Sequence, residues 1–294
     1  MFGDGIFTQE DEAWKHSREI LCPQLYHNQY ESLDVFRDPI NDLLDALLEA
    51  GSVIDLQPLF FRFTLDVTTA FLFDDSVRSL RSPKESREKN FADTFNLAQK
   101  YVVNRFRLSE LYWLIGGKAF RNACKQVHQF ADEIIDLNLS EDALQSDSTG
   151  NKYVFLKSVA RECPDRDALR EQIINILAAG RDTTACVLPW TFFHLVRPPS
   201  VLKKLKEEIS QLPDDEKVDR TSLRHMPYLN NAVKEREDGK SPVLIPEGTA
   251  IAYSVYAMHR QPDLPIWGYL PFNGGPRTCL GMDFALTEVA YTIV

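Results

Sequence analysis

The chain has 294 residues, 44% of them apolar and 26% charged. That is ordinary globular usage in one large domain or two smaller ones, and it excludes disorder and collagen-like structure. Lys and Arg number 33 against 43 Asp and Glu, a net charge of −10, which argues against a sequence-independent nucleic-acid binder working by counterion displacement. At this length folding buries roughly three-quarters of the unfolded surface, so a core needs neither disulfide nor metal.

The five cysteines, Cys22, Cys124, Cys163, Cys186 and Cys279, are odd in number and widely spaced, with no CxxC. A reducing compartment is the expectation. The sequon Asn138-Leu139-Ser140 is not accompanied by a signal peptide. No apolar run approaches the ~20 residues of a membrane span, so the chain as written is expected to carry neither anchor nor secretion signal.

In chain order, the first 140 residues read mostly as helix. Apolar residues recur at three- and four-residue spacing at Phe36, Ile40, Leu43, Leu44 and Leu47, and again at Phe91, Phe95, Leu97, Val102 and Phe106. Leu59 to Phe73 is rich in Phe, Thr and Val and fits helix or strand. Ser140 to Lys152 reads as a loop. A long helix is predicted from Pro164-Asp165, capped by Asp165 or Asp167, to Pro198-Pro199. Further helices are predicted at Val201 to Leu212 and Met226 to Glu235. Val243 to Ala257 alternates and predicts a short hairpin. A Gly/Pro-rich tail, Gly268 to Gly281, leads into a last helix opening near Leu280.

The most specific pattern is Phe272-Asn273-Gly274-Gly275-Pro276-Arg277-Thr278-Cys279-Leu280-Gly281. Its glycines let backbone approach a large planar ligand. It delivers one cysteine to a helix N-terminus, where the dipole favours the thiolate, with Arg277 adding positive charge. A lone thiolate in such a nest suits an axial ligand of haem iron; the plain alternative is a structural cysteine in a Gly-rich loop. Ala179-Gly180-Arg181-Asp182-Thr183-Thr184 lies midway along the long helix. Gly and a Thr pair are poor helix formers, and a Thr hydroxyl bonded back to a carbonyl can open the helix locally. Asp182 and Thr183 would then offer a carboxylate and a hydroxyl for proton delivery; the alternative is a small-residue crossing of packed helices. Trp14 and Arg18 share one face at i and i+4 and can hold a carboxylate against an apolar wall; the plain alternative is a surface stripe.

These motifs resemble the cytochrome P450 superfamily of haem-thiolate monooxygenases. The likeness implies a mainly α fold with a small β element, in one partial domain over residues 1–294. It implies haem b with Cys279 as its iron ligand. Trp14, Arg18 and Arg277 would bond the haem propionates, and Phe272, Gly275 and Gly281 would shape the loop. Asp182 and Thr183 would relay protons to the dioxygen being reduced. Gly3-Asp4-Gly5-Ile6-Phe7, Trp267 to Phe272 and Tyr253 to Arg260 resemble fungal members that hydroxylate alkanes and fatty acids. That implies a long-chain apolar substrate, a flavin-containing NADPH reductase as electron donor, and the cytosolic face of the endoplasmic reticulum membrane, with peripheral membrane contact; the expected lack of an anchor leaves the cytoplasm as the alternative.

The sequence departs from the family pattern in three places. It opens close to the Trp14–Arg18 helix. The ExxR helix is interrupted, since Asp238 stands where an arginine should follow Glu235 on the same face, and Arg236 lies about 100° away. Asp263-Leu264 passes almost directly to Pro265-Ile266-Trp267, with no counterpart of the meander between them. An inactive remnant that binds haem or acts only through interactions is therefore the competing expectation.

Overall fold

The structure is a computed structural model that describes residues 1–26, 33–49, 53–81, 87–140, 154–197, 199–212, 218–226, 229 and 270–294. Ten α-helices are described: α1 (Asp11–Leu21), α2 (Asp34–Glu49), α3 (Leu56–Phe73), α4 (Arg87–Leu108), α5 (Lys118–Asn138), α6 (Phe155–Glu162), α7 (Arg166–Val196), α8 (Pro199–Ile209), α9 (Arg220–Arg224) and α10 (Met282–Ile293). Short 3₁₀ turns at Ser109–Leu114 and Gly275–Arg277 follow α4 and precede α10. No strand occurs among the described residues. The predicted hairpin, the loop after Ser140 and the ExxR and meander positions lie outside them.

The long helix forms as its sequence predicts. Asp165 Oδ1 caps α7 by accepting from Asp167 N at 3.1 Å, and 31 residues give a rod of about 46 Å. Pro189 sits inside it, where it deletes one backbone hydrogen bond. The helix ends just ahead of Pro198-Pro199.

The ambiguous segment is helix α3. Its β-branched threonines are accommodated because each hydroxyl returns to a carbonyl one turn back: Thr64 to Phe60 O at 3.0 Å, Thr68 to Thr64 O at 2.7 Å and Thr69 to Leu65 O at 2.9 Å. Asp55 caps its start by accepting from Gln57 N. Both faces of α3 are buried, since α2 packs on one side and α7 on the other, and this explains its lack of an amphipathic period.

α3 and α7 pack along much of their length at the centre, flanked by α2, the α4–α5 pair, α6 and α10. Thr64 Oγ1 donates across this crossing to Arg181 O at 2.7 Å. The core is rich in phenylalanine. The Phe71 ring lies 4.7 Å from Phe284 and 5.4 Å from Phe155, and Phe36 lies 5.1 Å from Phe284, so α10 is tied by aromatic contact to α2 and α3.

Three boundaries differ from expectation. The helix predicted over Val201 to Leu212 begins at Pro199, where Pro fits a first turn, and ends at Ile209. Met226 is not helical; the five-residue α9 stands just before it, its cap Asp219 accepting from Ser222 N at 2.7 Å. The last helix opens at Met282, after Gly281.

Candidate functional site: a cysteine loop beside a cation–indole cluster

The cysteine loop runs from Leu270 into α10. Cys279 N donates to Phe272 O at 2.9 Å and Thr278 N to Gly275 O at 3.1 Å, closing two turns on one another. The Thr278 hydroxyl adds a bond to Gly275 O at 2.7 Å. Gly275 has φ +66 with open space where a Cβ would stand, so glycine is required there by backbone conformation. Asn273 takes φ +62, as asparagine tolerates, and its side chain reaches Arg277 O at 3.4 Å.

α1 meets this loop. Trp14 and Arg18 lie on one face, and Arg18 Nη1 donates to Thr278 O at 2.8 Å. Arg277 lies with its guanidinium carbon 4.4 Å from the Trp14 ring centre, and Arg18 lies 5.8 Å from the same ring. Arg277 Nη2 also donates to Gln9 O at 3.2 Å. Two guanidiniums thus gather at one indole beside the cysteine, although Arg277 lies 268 positions from Gln9 and Arg18 lies 260 positions from Thr278, so folding alone brings them together.

The cysteine itself corrects one expectation. The Cys279 thiol is exposed, yet crowding by its neighbours desolvates it enough to push it up; the Gly281 N–H and the Arg18 charge oppose that shift. Arg277 was expected to supply this charge, but its side chain turns to Trp14 and Gln9 and the nearby cation is Arg18.

On α7 the expected pair diverges. Asp182 turns toward α4, where it accepts from Gln99 Nε2 and from Arg181 Nη1, the latter at 3.1 Å. Burial raises its carboxyl, opposed by Arg181 and Gln99. Thr183 is exposed and bonds back to Ala179 O at 2.9 Å, yet the α pattern continues unbroken through it. The expected local opening is therefore absent. Gly180 serves the helix crossing: a Cβ there would stand 2.7 Å from Thr68 Oγ1.

Two charged residues of this region were not singled out in the sequence. Arg181, 1% exposed, joins Asn96 at 2.6 Å and Gln99 at 3.2 Å, with the Phe61 and Phe95 rings on its flanks. Its only signal was a cation in an apolar helical run. Glu288 on α10 is fully buried. Burial pushes its carboxyl well above the ordinary range, and the Thr184 hydroxyl stands nearby. Among the described residues neither its carboxyl oxygens nor Thr184 Oγ1 has a hydrogen-bond partner.

The donor set fits haem. One soft sulfur is accessible to iron, two guanidiniums and an indole stand beside it for carboxylates, and nothing lies within 4 Å of the Cβ positions of Gly275 and Gly281.

Comparison with known proteins agrees. A family model for cytochrome P450 matches residues 1–236. The chain is 39% identical over 345 positions to a cytochrome P450 of Arthroderma benhamiae, covering 99% of this chain and 69% of that protein. It is 36% identical over 357 positions to cytochrome P450 52A5 of Candida maltosa, covering 100% and 67%. It is 35% identical to cytochrome P450 52A1 of Candida tropicalis, covering 100% and 65%. An alignment of 357 positions exceeds the 294 residues it takes in, so the relative has stretches with no counterpart here. The haem domain of a cytochrome P450DA mutant superposes with a TM-score of 0.73 at 19% identity, over 100% of this chain and 73% of that one, which shows the fold. Fold, cysteine loop and relatives converge: the chain belongs to the cytochrome P450 family, oxidoreductases that carry thiolate-ligated haem b and act as monooxygenases.

Proposed function

We propose that this chain, as one partial domain over residues 1–294, hydroxylates a long-chain apolar substrate, an alkane or a fatty acid, with electrons from a flavin-containing NADPH reductase. The observation that carries the reading is the gathering of Arg18 and Arg277 at Trp14 beside Cys279. Haem bound there supplies dioxygen activation, in which one oxygen atom enters a C–H bond and the other leaves as water.

The chain's own residues then have distinct tasks. Cys279 holds the iron through its sulfur. Arg18, Arg277 and the Trp14 indole would hold the propionates in a charge-assisted grip. Phe272, Gly275 and Gly281 keep the loop's shape and open face. Thr183 Oγ1 and the Asp182 carboxyl hold protons for delivery, and Asp182 must exchange its Gln99 contact for water to do so. The substrate class rests on the resemblance of Gly3 to Phe7, Tyr253 to Arg260 and Trp267 to Phe272 to fungal alkane and fatty-acid hydroxylases.

The chain is proposed to work against the cytosolic face of the endoplasmic reticulum membrane. Among the described residues no helix is long and apolar enough to cross a membrane. Phe106, Leu111, Tyr112, Trp113 and Leu114 are nevertheless exposed between 50% and 87% around the α4–α5 turn, and Arg107, Lys118 and Arg121 flank them. That pattern suits an interfacial contact with anionic lipid.

A second reading, an inactive remnant, draws on the stretches of the relatives that have no counterpart here. One experiment separates the two: the reduced, CO-bound spectrum of the haem-supplied chain. A red-shifted Soret band, lost in Cys279→Ala, supports the oxygenase; an unshifted band or no retained haem supports the remnant.

A further inference from the structure

Residues 2–9 bond to α7 on one side and to the cysteine loop on the other. Asp4 N donates to Glu171 Oε2 at 2.7 Å, Ile6 N to Gln172 Oε1 at 3.1 Å and Phe7 N to Asn175 Oδ1 at 3.0 Å. Glycine permits the approach: a Cβ at Gly5 would stand 2.2 Å from Asn175 Nδ2, and one at Gly3, where φ is +61, 2.1 Å from the Glu171 carboxyl carbon.

The Gln172 amide is the branch point. Its Nε2 donates to Ser17 Oγ at 2.7 Å, and Ser17 Oγ donates to Gln9 Oε1 at 2.6 Å. Gln9 also donates from Nε2 to Asp4 O at 2.9 Å, and its own carbonyl accepts from Arg277. Ser17 immediately precedes Arg18, which holds Thr278 O. From the Gln172–Ser17 bond, one route therefore runs through Gln9 to Arg277 and another along the adjoining peptide to Arg18 and Thr278, so both end on adjacent residues of the cysteine loop. Gln172 and Ser17 are each 5% exposed, so water competes weakly and the bonds direct geometry strongly.

We infer that Gln172 is a positioning residue for the cysteine loop, acting through Ser17 and Gln9 to set where Arg277 and Thr278 lie. Only an amide serves both branches, because it accepts from Ile6 N and donates to Ser17 at once. A carboxylate at 172 would accept from Ser17, turn that hydroxyl away from Gln9 and release the Arg277 branch. The meaning of this device for haem rests on the cradle reading proposed above.

The test is amide hydrogen exchange at Thr278 and Cys279 in the full chain. Gln172→Leu and Gln172→Glu should speed exchange at both by about fivefold to tenfold, the scale of one buried hydrogen bond. Thr69→Ala, which removes a buried hydroxyl in α3 away from the loop, should leave them unchanged. Unchanged exchange in Gln172→Leu, or equal acceleration in Thr69→Ala, overturns the inference. If Gln172→Leu does not fold, Ser17→Ala cuts the same branch and is read by the same criteria. Haem retention by Arg277→Leu separates the two ideas: if the Gln172 variants loosen the loop while Arg277→Leu keeps haem, the positioning role stands and the cradle reading falls.

Discussion

The guanidinium of Arg277 lies 4.4 Å from the centre of the Trp14 ring. A cation over an indole face is worth about 0.5–2 kcal/mol, more where water is excluded, and here it joins a helix near the start of the sequence to a loop near its end. Trp14→Leu removes both the ring face and the indole N–H. We expect haem-loaded Trp14→Leu to release haem at least about tenfold faster than the parent, with Trp14→Phe between them, since a phenyl ring keeps the face. Transfer of haem to an apo-globin trap measures this; equal release rates would remove Trp14 from the cradle.

Arg181 and Asp182 hold one another between α4 and α7. Desolvation lowers the Arg181 guanidinium and raises the Asp182 carboxyl, and each charge opposes the other's shift. Asp182→Asn leaves buried Arg181 with its Asn96 and Gln99 contacts and the Asp93 charge, and since Asp182 is itself one-third exposed the loss should be about 1–3 kcal/mol. Asp182→Asn should therefore lower the denaturant midpoint markedly, whereas the double variant Arg181→Met, Asp182→Asn should recover much of it. A midpoint unmoved by Asp182→Asn would mean the pair is not a stabilising unit.

Glu288 gives a pH dependence of definite sign. Its folded-state affinity for a proton is raised well above the ordinary carboxyl range near 4.5. Unfolding therefore releases a proton once the pH passes that ordinary value, and stability falls as pH rises further through the folded-state value. Glu288→Gln cannot ionise and should flatten the fall, read between pH 5 and pH 8, so that the variant gains on the parent at the upper end. Urea midpoints at the two pH values decide it; parallel slopes for parent and variant would sink the idea.

Gly180 is set against Thr68 with no room for a methyl group. Gly180→Ala should lose about 1–3 kcal/mol by overpacking, despite alanine's better helix propensity. Adding Thr68→Ala frees the space and should return most of that loss. The coupling between the two substitutions, read from thermal melts, is the quantity of interest; simple additivity would contradict the contact.

The rods of this fold were legible where apolar spacing was regular and a cap was present, as in α7 with Asp165. α3 was ambiguous because it is buried on both faces, and burial on both faces erases the period that distinguishes helix from strand. α9 escaped notice because five residues carry little periodic signal. In the candidate site, Cys279, Trp14, Arg18 and Arg277 were singled out by their spacing and by resemblance to the family, but which arginine lies nearest the thiol was not legible. Arg18 and Arg277 are close in space for reasons that lie in the fold of the intervening chain. Arg181 and Glu288 were hidden because charge in a sequence says nothing about which face of a helix a neighbour will cover. Gln172 was hidden because an amide has no motif.

Arg18 and Thr278, which bond directly, are separated by 260 positions. At the ~5–20 residues per second of ribosomal synthesis, roughly ten to fifty seconds pass between the appearance of one partner and the other. During that interval the first helix exists without the loop that completes its cluster. If the proposed cradle holds haem, capture waits until Thr278 and Cys279 have been made, so haem supplied only while the earlier residues are being synthesised should not raise the yield of loaded protein in a host cell.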